Sequence, residues 1–209
     1  MMFYFTKTPF WLKMLYPDCL WNYRNDSNGK KIYLSFDDGP HPEATPFVLD
    51  QLKKFNAKAS FFCIGKNVIA EAAIYKRILM EGHRVGNHSF DHLNGWKTDS
   101  KVYLENIEKA RTLIDSDLFR PPYGRATAFQ IRNLKVKLRY KIVMWDVLSG
   151  DFDPVVDGQI AAERVISKSK SGSIVVFHDS AKAFPVLKTA LPAVLAYFSG
   201  KGYSFEKII

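Results

Sequence analysis

The chain has 209 residues, 47% hydrophobic and 24% charged, a size and balance that fit one globular domain and exclude long disorder. Its 30 Lys+Arg against 21 Asp+Glu give a net charge of +9, a basic surface that favours anionic partners. The basic residues are scattered in runs no longer than two, with no helix-turn-helix or zinc-finger spacing, so nucleic acid is not an expected partner. Two cysteines, Cys19 and Cys63, exclude a disulfide framework. Cys63 lies in the apolar run Ala59–Ile64 and reads as a buried free thiol.

Residues 1–29 form an aromatic-rich extension before a domain spanning 30–209. In Met1–Trp21, Lys7 and Lys13 interrupt the apolar character and Pro9 and Pro17 break it, so no stretch approaches the roughly 20 apolar residues of a membrane span. The charged start, apolar middle and small-residue cleavage site of a secretory signal are also missing. The expectation is a cap packed on the domain, in a cytoplasmic or membrane-associated protein that is a monomer. A second reading makes residues 1–21 a peripheral membrane foot, with Phe3, Phe5, Phe10 and Trp11 dipping into the interface.

From residue 30 onward, β-rich runs alternate with amphipathic stretches. Strands are expected at Lys31–Phe36, Ala59–Ile64, Arg84–Asn87, Leu118–Arg120, Tyr140–Val147, Ser173–Phe177 and Tyr203–Lys207. Helices are expected near Pro42–Phe55, Asn67–Glu81, Ser100–Ile114, Ala126–Leu138, Gly158–Ser169 and Phe184–Gly200. In Ser100–Ile114, Val102, Leu104, Ile107, Ala110 and Ile114 recur at helical spacing. Strands separated by helices indicate an α/β fold with a parallel sheet, because parallel neighbours need a crossover. Unusual polar residues fall at or just after the ends of several different strands: Asp37–Asp38, His88–His92, Arg120–Gly124, Asp151 and His178. A βα barrel gathers such strand ends on one face, whereas an open sheet draws on fewer of them, so the pattern favours a barrel.

Five runs carry the chemistry. Ser35-Phe36-Asp37-Asp38-Gly39-Pro40 ends an apolar strand in two carboxylates, a costly arrangement unless a cation compensates them. The competing reading is a turn in which an Asp caps the next helix. His88-Ser89-Phe90-Asp91-His92 spaces two imidazoles so that one helical turn can present both to a metal. With one Asp, the two histidines match a catalytic zinc site and equally the facial triad of non-haem iron oxygenases. Arg120-Pro121-Pro122-Tyr123-Gly124 is either a plain proline-rich turn or a rigid segment that pairs Arg120 with Asp37 and aims the Tyr123 N–H at a developing oxyanion. Ile174–Asp179 ends an apolar strand in His178, a general acid or a satisfied core histidine. Asp151 either orients His178 or is a loop acid.

Taken in order, these segments resemble the polysaccharide deacetylase (NodB-homology) family, carbohydrate esterase family four. The resemblance runs from about Lys30 to Ile209. It rests on Ser35–Pro40 for Thr/Ser-Phe-Asp-Asp-Gly-Pro, His88–His92 for His-Ser/Thr-x-x-His, Arg120–Gly124 for an Arg-Pro-Pro-Tyr-Gly type, and Val176-Phe177-His178 with Val for the usual Leu. It implies a single-domain, distorted (β/α)7 barrel that removes N-acetyl groups from a carbohydrate such as peptidoglycan or chitin oligomers. Asp38, His88 and His92 would hold a divalent ion, zinc first, with cobalt or nickel as substitutes. Asp37 would be the base with Arg120 as its partner, His178 the acid with Asp151 as its partner, and the Tyr123 amide an oxyanion donor. The fourth motif departs from the family's Asp-x-x-Asp-Trp: Leu148-Ser149-Gly150-Asp151-Phe152 keeps the second acid and loses the first Asp and the Trp. Phe152 offers an aromatic wall without an indole donor, which implies an altered sugar pocket. The alternatives are an O-acetyl esterase on a polysaccharide such as xylan and a non-catalytic glycan-binding relative.

Overall fold

A computed structural model describes residues 4–23 and 29–209. Its centre is β1 (Lys31–Asp37), a strand buried from Ile32 onward, as parallel strands covered on both faces are. The side chains alternate. Ile32, Leu34 and Phe36 join the cluster beneath the outer helices, whereas Tyr33 packs with Phe62, Leu118, Val143 and Ile174 inside the curl of the sheet. Phe36 stacks on Phe61 and Phe177, with centroids 5.1 and 6.2 Å apart.

Around β1 stand β2 (Ala59–Cys63), β3 (Arg84–Asn87), β4 (Leu118–Phe119), β5 (Lys141–Ile142), β6 (Val147–Leu148), β7 (Ile174–His178) and β8 (Ser204–Phe205). The order is β5-β4-β3-β2-β1-β7-β6, every pairing is parallel, and β8 joins the start of β1. Although β5 and β6 lie at opposite ends of this order, they are consecutive in the chain. One segment, 141–148, therefore serves both edges, which requires the sheet to curl back on itself. This is the distorted, single-domain barrel expected from the sequence. Gly86 leaves the space that the Phe62 ring fills, since a Cβ there would stand 2.5 Å from that ring.

The helices are α1 (Phe10–Leu15), α2 (Ala44–Lys54), α3 (Gly65–Ala70), α4 (Ala72–Met80), α5 (Ser100–Arg111), α6 (Ala128–Val136), α7 (Gly158–Lys168) and α8 (Phe184–Gly200). Three expectations need correction. The single strand Tyr140–Val147 is two short strands, because its first half bonds to β4 and its second half to β7. The single helix Asn67–Glu81 breaks at Glu71, whose φ of −119° and ψ of 46° are not helical. In α5 the inward stripe is Tyr103, Ile107 and Ala110, while Val102 faces solvent.

Segment 4–23 runs along the seam. Leu148 N donates to Thr6 O at 3.0 Å, Thr8 N to Asp146 O at 3.0 Å and Met144 N to Leu20 O at 2.8 Å. The buried Asp146 receives Lys7 at 2.6 Å, Lys13 and the Ser173 hydroxyl at 2.7 Å. Trp11, Met14 and Leu15 of α1 stay exposed. Phe3 lies outside the described residues, among which no helix is long and apolar enough to cross a membrane. Cys19 and Cys63 are buried free thiols.

Candidate active site

The nine residues singled out in the sequence stand on or just past the C-terminal ends of β1, β3, β4, β6 and β7. Asp37 ends β1 beside His178, the last residue of β7, in direct register. Its Oδ1 accepts Arg120 Nη1 at 2.6 Å. Arg120 is fully buried and held on every side. It donates to Ser35 Oγ at 2.8 Å, Val143 O at 3.2 Å and Met144 O at 3.0 Å, and it lies 4.0 Å over the Phe62 ring. A buried guanidinium needs this degree of satisfaction.

Asp38, next along, has a left-handed φ of 79° that turns its carboxylate away from Asp37 toward the histidines. One ligand atom from each of Asp38, His88 and His92 lies within 4.8 Å of the others. His92 Nε2 is 3.1 Å and His88 Nε2 3.7 Å from Asp38 Oδ1. That oxygen is buried and has no partner in hydrogen-bond geometry. His88 Nδ1 is 2.7 Å from Arg120 O, an arrangement that fixes the proton there and leaves Nε2 with a free lone pair. Burial, against the charges of Asp37 and Asp38, pulls His88 down to about 4 and keeps the imidazole neutral. Burial would raise Asp38, but His92 and His178 hold it well below the usual carboxylate range. Two neutral-capable imidazoles, one carboxylate oriented toward them and an orphaned buried oxygen fit a divalent transition ion.

The His-x3-His pair works differently from the helical turn expected. Residues 88–92 form a loop in which Ser89 and His92 are left-handed, with φ of 63° and 60°. Asparagines replace the helical bonds. Ser89 N donates to Asn87 Oδ1 at 2.8 Å, and Phe90 N and Asp91 N donate to Asn106 Oδ1 at 2.9 and 3.0 Å. Among the described residues, four of the six non-glycine positions with positive φ are Asp38, Ser89, His92 and Tyr123, so backbone strain concentrates at this site. Tyr123 sits in the one-turn 3-10 helix Pro122–Gly124, exposed, with its ring 4.6 Å from that of His92.

On the β7 side, Asp151 is buried and accepts twice from His178: from the backbone N–H at 2.7 Å and from Nδ1 at 2.8 Å. Burial lowers the His178 imidazole, but the charge and hydrogen bond of Asp151, with Asp38 and Asp37 behind, outweigh it and hold the group at about 9. Phe152 stands perpendicular to His178 at 5.1 Å.

Two further residues belong to this cluster and carry no assigned role in the sequence reading. Asp179 accepts from Thr45 Oγ1 at 2.5 Å and Gly39 N at 3.1 Å, while burial pushes it up to about 8. Gly39 must be glycine, since a Cβ would meet the Asp179 carboxylate at 2.1 Å. The only sequence signal for Asp179 was its place directly after His178. Tyr4, from the N-terminal segment, packs 5.2 Å from Phe152 and donates to Asp153 Oδ2 at 2.9 Å. Nothing in its sequence surroundings marked it.

Residues 24–143 match the family described as polysaccharide deacetylase. The chain is 34% identical over 185 residues to the peptidoglycan-N-acetylglucosamine deacetylase PgdA of Listeria monocytogenes, covering 86% of this chain and 38% of that protein. It thus spans well under half the length of that relative. It is 31% identical to a peptidoglycan-N-acetylglucosamine deacetylase of Bacillus cereus, over 87% of this chain and 88% of the relative. Among solved structures, it is similar to the Bc1960 peptidoglycan N-acetylglucosamine deacetylase in complex with 4-naphthalen-1-yl-N-oxidanyl-benzamide. The TM-score is 0.86 at 29% identity, over 96% of this chain and 95% of that one.

Proposed function

Because the chain belongs to the polysaccharide deacetylase family, we propose that it is a metal-dependent hydrolase that removes N-acetyl groups from an N-acetylglucosamine-type glycan, such as peptidoglycan or chitin oligomers. The observation that carries this reading is the pair of charge-coupled groups, Asp37 with Arg120 and His178 with Asp151, beside Asp38, His88 and His92. An iron oxygenase has no use for such a matched base and acid.

Asp38, His88 and His92 would hold the ion, zinc first by donor type, which supplies Lewis-acid polarisation of the acetyl carbonyl and makes water more acidic. Asp37 accepts the proton of the attacking water; with Oδ1 tied to Arg120, the second oxygen is left for it. The Tyr123 N–H donates to the oxygen on which charge develops. His178, kept as imidazolium by Asp151, gives its Nε2 proton to the sugar nitrogen as the C–N bond breaks, since an amine leaves poorly without a proton. Acetate and a free amino sugar result. Phe152 walls the sugar on the His178 side.

The test is acetate release from a panel of N- and O-acetylated glycans by protein loaded with zinc or cobalt. Asp37→Asn is expected to lower turnover by at least about a thousandfold while retaining the metal, and His88→Ala to lose the metal itself. Near-normal turnover in Asp37→Asn would overturn the assignment of the base.

A further inference from the structure

The short helix α1 inverts the usual order of a surface helix. Its sequence, Phe-Trp-Leu-Lys-Met-Leu, contains a single charged side chain, and that one is turned inward. Lys13 is 9% exposed and pairs with the buried Asp146. Leu12 and Tyr16 pack on the barrel, yet Trp11, Met14 and Leu15 are 55%, 63% and 65% exposed. A helix that is apolar on both faces belongs in a core or against lipid, not against water. This pose is fixed from both ends. Lys7 reaches the same Asp146 at 2.6 Å and Thr8 N donates to Asp146 O at 3.0 Å, while Leu20 N donates to Ile142 O at 2.8 Å.

Beside α1 lies a cleft of about 370 Å³, walled by Leu15 and Tyr16 on one side and by Ile131 and Val136 of α6 on the other. It has room for part of an acyl chain. Its rim is basic. Lys135 is engaged by Asp18 at 3.0 Å, but Arg132 pairs with no carboxylate among the described residues. Phe129, three residues before Arg132, and Val136, four after it, stand on the same face of α6 and are exposed. An anionic bilayer meets all three features together: hydrocarbon for the apolar side chains and the cleft, an interface for the indole, and phosphates for the cation. A second copy of this chain would instead set like charges against each other, in a protein whose net charge is already +9.

We propose that α1 and the exposed face of α6 seat the protein on the surface of an anionic lipid bilayer without crossing it. The full chain is sedimented with vesicles of phosphatidylcholine alone and of phosphatidylcholine and phosphatidylglycerol in equal parts. Binding is expected to be at least about tenfold tighter on the anionic vesicles and to weaken with added salt. Met14→Glu combined with Leu15→Glu should weaken it by at least about tenfold. The urea midpoint of that variant should match the wild-type value, because both side chains already face water. Arg132→Gln should cost about fivefold on the anionic vesicles and nothing on the neutral ones. Lipids brominated along the acyl chain should quench tryptophan fluorescence, and Trp11→Phe should remove that quenching. No sedimentation with anionic vesicles, equal binding to neutral ones, or unchanged binding in the glutamate variant overturns the inference. So does a concentration-dependent dimer that the glutamate variant abolishes, since a second copy would then be the occupant. Should the glutamate variant unfold, the other two decide: unchanged binding in Arg132→Gln, or quenching that survives Trp11→Phe, overturns the inference equally.

Discussion

Replacing Asp151 by asparagine should move the alkaline limit of activity, by an amount that the geometry sets. His178 stands at about 9 instead of 6.5 because Asp151, with Asp38 and Asp37 behind it, more than reverses the effect of burial. At about 1.4 kcal/mol for each pH unit, that lift favours the imidazolium by roughly 3 kcal/mol. An ion bound at Asp38 would offset part of the help from that carboxylate but leave the Asp151 contribution in place. In Asp151→Asn the charge is gone. The amide oxygen can still accept one of the two His178 donors, but the amide nitrogen cannot accept the other. Burial then governs, and the imidazole titrates below its ordinary value. Near pH 7.5 the protonated fraction falls from almost all to about a tenth or less, so kcat/KM drops about tenfold or more and recovers toward about pH 5.5. The assay is acetate release across that range. Stability gives a second readout. A group whose folded pKa is raised contributes fully below 6.5 and loses its contribution as pH rises through about 9. The urea midpoint of the wild-type protein should therefore exceed that of the variant most at low pH and converge as pH rises through about 9. Asp179, raised to about 8, titrates in the same window, but it is common to both proteins and cancels in the difference. An equal activity loss at about pH 5.5 and pH 8, or a stability gap that widens with pH, would refute the coupling of His178 to Asp151.

Three other outcomes follow from the same contacts. Arg120→Met strips the buried Asp37 of its partner and should cost about 3–5 kcal/mol in urea unfolding; adding Asp37→Asn to it should recover part of that loss. Zinc at about a thousand times its dissociation constant should stabilise chelator-stripped protein by about 4 kcal/mol. That corresponds to a rise of about 10 °C in thermal midpoint for a chain of this length, read by scanning fluorimetry, and His92→Ala should abolish the rise. Tyr4→Ala removes the ring behind Phe152 and should raise KM about threefold with kcat retained; a fall in kcat at constant KM would place Tyr4 elsewhere in the reaction.

The sequence exposed the parts of this molecule that are written in short-range pattern. The doubled carboxylate of Asp37–Asp38 and the lone His178 end apolar runs, and the His88–His92 spacing follows a short strand directly; such polar residues at strand ends are conspicuous without any knowledge of what lies across the barrel. The strands themselves were legible for the same reason, being apolar on both faces. What stayed hidden depends on long-range partners. Residues 140–147 are apolar enough to read as one strand, but their two halves bond to strands on opposite edges of the sheet. The loop shape of 88–92 depends on Asn106, a polar residue in a helix far along the chain. Tyr4 reaches Phe152 across 148 positions.

Arg120 shows why the barrel's imperfection and the site's chemistry are one problem. Where 141–148 crosses from one edge to the other, the strand ladder is interrupted. Two carbonyls there, of Val143 and Met144, accept from Arg120 instead. The same guanidinium binds Asp37 and Ser35, and its backbone oxygen orients His88. A neutral residue at 120 would therefore unsettle the seam, Asp37 and His88 together. Lysine would keep the charge but lacks the fork of donors that spans a carboxylate, a hydroxyl and two carbonyls. Hence Arg120→Lys should lose much of the stability that Arg120→Met loses, even though it leaves Asp37 opposite a cation. If Arg120→Lys matched the wild-type protein in urea, charge alone would be sufficient and the seam contacts would be incidental.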